Sequence, residues 1–164
     1  MTHGTLLIRH RVVVRFSDCD PLGHVNNARY LTYLEQTRIE LWRRQAGLEL
    51  RRAARRSPGS SNPGDNEGFI LARTEIDFEA PAHDGDVLEV RLTLDAIGRS
   101  SMTYGYEMLD VTTAQRVASA KSVVVWYDYA ASRPVPLTDA RKALLSKPVA
   151  EVASEQYPAL QKPV

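Results

Sequence analysis

The chain contains a single cysteine, Cys19, so it can build neither an internal disulfide framework nor a cysteine-based zinc site. Its histidines, His3, His10, His24 and His83, are scattered, and no two fall at the helical i,i+4 spacing that grips a metal. Charge of one sign is also missing. Lys+Arg number 21 against 20 Asp+Glu, a net charge of +1, which leaves no global field to hold nucleic acid or an anionic membrane. No apolar run approaches the ~18 residues of a membrane span. The N-terminal Met-Thr-His-Gly lacks the basic and apolar regions of a secretory signal. A Gly-x-Ser-x-Gly elbow, a phosphate-binding loop and a Gly-x-Gly-x-x-Gly turn are all absent. The expectation is a cytoplasmic protein with no metal, no cofactor, no nucleic-acid partner and no membrane association.

What is present suits one globular domain: 164 residues, 43% apolar and 25% charged. From Leu6 to Phe16, Leu6, Ile8, His10, Val12, Val14 and Phe16 share one parity, the period of a strand with one buried face. Ser17 to Gly23 carries turn formers that end it. A helical pattern follows from about Asn26 to Gln45, in which Tyr30, Leu31, Tyr33, Leu34, Thr37, Leu41 and Trp42 fill about half the circumference. So wide an apolar arc requires something to wrap around the helix. Asn26 and Asn27 are N-cap candidates and Gly47 a stop signal.

Residues 51–66, basic and then rich in Gly, Pro and Ser, read as a mobile loop. Four alternating segments come next. Ile70, Ala72, Thr74, Ile76 and Phe78 share a face; so do Leu88, Val90, Leu92, Leu94 and Ala96; and so do Met102, Tyr104, Tyr106 and Met108. Gly98-Arg99-Ser100 reads as a hairpin loop. Val117 to Tyr127 is the most apolar strand and is expected to be the most buried. A short helix from Thr138 to Ser146 and a Pro-interrupted tail complete the chain. Successive strands without helical crossovers give α+β: a five-stranded antiparallel sheet rolled around one long central helix. Residues 1–136 would form this domain and 137–164 the appended helix and tail. The open sheet edges invite pairing with a second copy, as a homodimer or a dimer of dimers.

The chemistry concentrates in Asp18-Cys19-Asp20-Pro21-Leu22-Gly23-His24-Val25-Asn26-Asn27-Ala28-Arg29-Tyr30. An ordinary polar turn with an N-cap would use the same residue types. Asp20, however, stands just ahead of a helix N-terminus, whose free N–H groups favour negative charge and can polarise a carbonyl becoming an oxyanion. A carboxylate beside such donors is a minimal acyl-transfer site.

This Asp-x-Asp-x-x-Gly-His-Val-Asn-Asn-x-x-Tyr run, with Leu31, Leu34, Glu35 and Arg38 on the helix, resembles the hotdog-fold acyl-CoA thioesterases of the 4-hydroxybenzoyl-CoA thioesterase type. Phe78, Pro81, Gly85-Asp86 and Ile97-Gly98-Arg99-Ser100-Ser101 stand where such proteins carry similar residues. The resemblance covers residues 6–136. It implies that Asp20 is the catalytic carboxylate, attacking the thioester or activating water, and that the Asn27 N–H polarises the thioester carbonyl. His24 and Asn26 shape or support the site. Arg99, Ser100 and Ser101 lie near the pantetheine and phosphates of CoA. Aromatic-acyl members carry bulky aromatics where Asn26 and Asn27 stand, so the resemblance favours aliphatic acyl chains, delivered by CoA or by acyl carrier protein. A hotdog module that binds acyl thioesters without cleaving them is the alternative.

Three further features have structural readings. Asp18 suits a turn carboxylate, and Glu35 suits an ion pair with Arg38 one turn on. The arginines Arg43, Arg44, Arg51, Arg52, Arg55 and Arg56 suit a solvated helix end. Asp18-x-Asp20 does not make a haloacid-dehalogenase-type phosphotransferase, because alternating β/α units are missing. Nor does it open an EF-hand, with Leu22 at the fifth loop position and Arg29 at the twelfth.

Overall fold

The computed structural model describes residues 4–46 and 66–149. Their elements run β1 (Thr5–Val13), a 3-10 turn (Phe16–Asp18), α1 (Asn27–Ala46), β2 (Glu67–Phe78), β3 (Val87–Ile97), β4 (Ser101–Asp110), β5 (Arg116–Asp128), β6 (Arg133–Pro134) and α2 (Asp139–Leu145). The fold is α+β, with one antiparallel sheet in the order β1-β3-β4-β5-β2 and β6 attached to β5.

Period-two alternation explains the layering. Leu88, Val90 and Leu92 on β3 and Met102, Tyr104, Tyr106 and Met108 on β4 are fully buried on the face that meets α1. Each such side chain contributes about 1.5–3 kcal/mol of hydrophobic stabilisation. The intervening positions form a charged outer face. There Glu89 accepts from Arg9 (2.9 Å) and Arg91 (2.8 Å), and Arg116 reaches Glu79 (2.8 Å) and Glu107 (3.4 Å). An antiparallel sheet tolerates this asymmetry, one face on a core and one in water.

The architecture departs from the expectation in several ways. Among the described residues the sheet has six strands, not five, and it is open, with β1 and β2 as its edges. A second helix, α2, packs beside α1, so α1 is not one central helix with a sheet rolled around it. Leu145 is buried, and Gln45 Nε2 donates to the carbonyls of Leu145 and Lys147, both at 2.8 Å. Thr138 caps α2, its Oγ1 accepting from the Arg141 N–H (3.2 Å). The α1 arc keeps its width but changes membership. Leu31 is 45% exposed, whereas Arg38 is only 6% exposed, its Nη1 donating to the Tyr106 hydroxyl (3.2 Å). Glu35 is exposed, and the Glu35–Arg38 ion pair does not form.

Two strand expectations also shift. β1 stops at Val13, so Phe16 stands 82% exposed on the 3-10 turn. In β2 a bulge between Leu71 and Arg73 leaves Ala72 unmatched against β5. Phe69 and Leu71 therefore pair with the inward Trp126 and Val124, while Ile70 pairs with the outward Val125. β4, at the middle of the sheet, is more deeply buried than the more apolar β5. Gly47 and residues 51–65 lie outside the described residues.

Candidate active site

The turn that carries Asp20 is a miniature hairpin. Cys19 and Val25 form an antiparallel bridge, the Asp20 N–H donates to the His24 carbonyl (3.0 Å), and the Gly23 N–H donates to the Asp20 carbonyl (3.0 Å). Gly23 takes φ +86°, which a side chain would strain. Asp20 Oδ1 accepts from the Leu22 N–H (2.9 Å), and His24 Nδ1 stands 4.0 Å from the same oxygen. The Asp20 side chain is one-fifth exposed, open enough to meet a ligand yet held in orientation by its own turn.

Asn26 is the N-cap of α1. Its Oδ1 accepts from the Ala28 N–H (3.0 Å) and its carbonyl from the Arg29 N–H (2.8 Å). Asn27 is the first helical residue, and among the described residues its N–H has no acceptor. A helix start thus leaves one exposed amide, at its electropositive end, a short distance along the chain from a fixed carboxylate.

Asp18 anchors this assembly from below. Its carboxylate is fully buried, receiving the Arg15 N–H (3.2 Å), Nε (3.1 Å) and Nη2 (2.9 Å) and the Tyr33 hydroxyl (3.1 Å). Arg29 Nε lies 3.8 Å away. The Arg15 guanidinium holds the Asp18 carboxyl below the usual carboxylate range, against the opposing effect of burial. Burial, helped by the Asp18 charge, raises the Tyr33 hydroxyl. The Asp18 carbonyl also accepts from the Asn26 N–H (2.9 Å), and the Ala82 carbonyl accepts from the Val25 N–H (2.8 Å). Asp18 is therefore saturated by structure. Tyr33, Arg15 and Ala82 do site-building work that residue types along the chain do not advertise. The one usable sign is that Tyr33 falls one helical turn from Tyr30 on the buried arc.

Asp20 and His24 share the hairpin, with His24 Nδ1 4.0 Å from Asp20 Oδ1, and Asn26 and Asn27 follow directly as the cap and first residue of α1. Arg99, Ser100 and Ser101 do not join them within one chain. The helix start packs at the Val87 end of β3, whereas Arg99 to Ser101 follow its Ile97 end. Eleven strand residues, about 3.3 Å each, separate the two ends. Arg99 is exposed, with its carbonyl accepting from the Leu137 N–H (2.7 Å); the Ser100 carbonyl accepts from the Trp126 N–H (2.8 Å), and Ser101 opens β4. Among the described residues, no three of His, Cys, Asp and Glu are grouped to hold a metal ion, and no helix is long and apolar enough to cross a membrane.

The fold recurs among known proteins. A thioesterase from Thermus thermophilus, solved in complex with coenzyme A and Zn, is 32% identical, with a TM-score of 0.68 over 87% of this chain and 98% of that one. A 1,4-dihydroxy-2-naphthoyl-CoA thioesterase from Synechocystis shares the fold at 24% identity and a TM-score of 0.70, over 92% of this chain and 98% of its own. The PA2801 protein of Pseudomonas aeruginosa, also 24% identical, matches with a TM-score of 0.72 over 85% of this chain and 98% of that one. Residues 14–146 match the family model of the thioesterase-like superfamily. The chain therefore belongs to the thioesterase-like superfamily and is a thioester hydrolase of the hotdog-fold type.

Proposed function

We propose that this hydrolase cleaves aliphatic acyl-CoA thioesters to the free acid and CoA. The observation that supports the reading is the unclaimed Asn27 N–H at the tip of α1, seven residues along the chain from an Asp20 carboxylate held by its own turn. The thioester carbonyl oxygen accepts from Asn27, and the helix end stabilises the charge that develops on it. Asp20 then acts in one of two ways. It adds to the carbonyl carbon and expels CoA thiolate, leaving a mixed anhydride that water opens. Otherwise it takes a proton from a water that makes the same attack. Exposed Leu22, Leu31 and Phe78 near the helix start favour an apolar acyl group, and the coenzyme A of the Thermus relative favours CoA as its carrier.

Residues 1–136 form the hydrolase domain in this reading, with the segment from 137 docked on it through α2. Its working unit is an assembly of identical copies, because the CoA-binding candidates Arg99, Ser100 and Ser101 lie far from the helix start of their own chain. Thiol release from a panel of straight-chain, branched and aromatic acyl-CoA substrates tests the function. Asp20→Asn is expected to lower kcat about 10²–10⁴-fold while leaving thermal unfolding in place. An Asn variant as fast as the wild type overturns the role of Asp20. A wild type inert across the whole panel makes the chain a binder.

A further inference from the structure

The space between α1 and the sheet is closed. Leu34 and Leu41 on α1 and Met102 and Tyr104 on β4 are all fully buried. Trp42 Nε1 donates to the Tyr104 hydroxyl (3.1 Å) and Arg38 Nη1 to the Tyr106 hydroxyl (3.2 Å), which ties the helix to the middle of the sheet. A core packed in this way leaves no passage for an acyl chain beneath the helix. A chain that starts at the tip of α1 has to follow the helix surface.

One row of that surface leads away from the Asn27 amide. Residues four apart on a helix lie one above the other, so Asn27, Leu31 and Glu35 form a single row. Leu31 is the one large hydrophobic side chain that the described part of α1 leaves exposed. Its neighbour Tyr30 packs edge-to-face on Phe78 (5.2 Å between ring centroids), which is itself exposed. Trp42, two turns after Glu35, stacks on Phe69 (4.4 Å), so the row runs on the flank of α1 turned toward β2. Glu35 interrupts it. Its side chain is exposed, and among the described residues it has no hydrogen-bond or ion-pair partner.

Resting on the aliphatic acyl-CoA reading, we propose that Glu35 is a chain-length stop that limits this hydrolase to short and medium acyl groups. It stands eight residues beyond Asn27, about 12 Å along the helix axis. With C–C bonds of ~1.5 Å in a zigzag, a saturated chain of about eight to ten carbons spans that distance. Up to this length each methylene laid on Leu31 and Phe78 leaves water, which favours binding. A longer chain must cover an ionised carboxylate, stripping its water and offering no hydrogen bond in return. Helical side chains lean toward the N-terminus, so the Glu35 carboxylate reaches back toward Leu31 and into the path.

Thiol release from straight-chain acyl-CoA substrates of four to sixteen carbons tests the stop. In the wild type kcat/KM is expected to rise about two- to fourfold per methylene, to peak near about eight to ten carbons, and to fall beyond. Glu35→Leu should raise the ratio of fourteen-carbon to eight-carbon kcat/KM about tenfold or more. Glu35→Gln, which keeps the size and drops the charge, should raise it by a smaller factor. The ratio is read within each variant, so a loss of folded protein does not move it. A wild type that prefers fourteen or sixteen carbons to eight overturns the stop and leaves thioester hydrolysis standing. So does a ratio unchanged in both variants; if sedimentation of Glu35→Leu shifts at the same time, the row is a contact between copies. A Glu35→Gln chain inert at every length puts Glu35 in the chemistry and overturns the stop as well. A wild type inert at every length overturns the acyl-CoA reading itself.

Discussion

Asp18 shows how one side chain sets the conditions for its neighbours. Arg15 lowers its pKa, so the folded chain binds that proton less readily than the unfolded one. The stability this supplies is complete above the ordinary carboxylate pKa of about 4 and is lost as pH falls through the lowered folded value. Thermal unfolding from pH 2 to 7 should therefore lose an acid-limb slope in Asp18→Asn, and an unchanged slope would sink the assignment. His10 behaves in the same sense at higher pH. Burial lowers its pKa, and its ring meets Thr37 Oγ1 at 3.1 Å. The Thr37 hydroxyl proton already goes to the Tyr33 carbonyl (2.9 Å), so the Nδ1–H of His10 is the donor. Residue types and spacing suffice to place Asp20 in a turn and Asn26 and Asn27 at the start of α1, because the contacts that fix them are local. They do not suffice for Arg38, which satisfies itself on Tyr106, far off in sequence, rather than on Glu35 nearby. Nor do they reveal Tyr33 beneath Asp18, since that contact exists only once α1 lies over the turn.

Among the elements, the 19–25 hairpin is the most exacting. A Cβ on Gly23 would meet nothing within 4 Å, so Gly23→Ala reports backbone strain alone. It is expected to cost about 1–2 kcal/mol in thermal unfolding and to lower kcat as the Asp20 turn relaxes. A variant with unchanged melting and unchanged turnover would mean that the turn does not fix the carboxylate. α1 and the alternation of β3 and β4 are legible because long periodic patterns leave one consistent face. β2 is not, because Phe69 and Leu71 are as apolar as Ile70 and Ala72. Either parity reads as a buried face, and only pairing with β5 reveals the bulge. Phe16 misleads for the opposite reason: it continues the β1 alternation beyond the point where Arg15 leaves the strand to hold Asp18.

For the whole molecule, element order was the legible part: one strand, one long helix, four strands, one short helix. The openness of the sheet, the sixth strand and the docking of α2 depend on contacts between distant segments, which no local pattern encodes. If Arg99 serves the site of the other copy, two defective chains should rescue each other. Mixed Asp20→Asn and Arg99→Ala chains, unfolded and refolded together, are expected to regain part of the thiol release that each lacks alone. Activity equal to the mean of the two separate variants would put Arg99 outside any shared site.

The Leu137 N–H rests on the Arg99 carbonyl and so ties the segment after β5 to the loop before β4. The run from β6 to α2 acts as a splint for the loop between β3 and β4. On the proposed placement of CoA at Arg99, substitutions between β6 and α2 would change the grip on the nucleotide end of the substrate and leave the speed of ester cleavage alone.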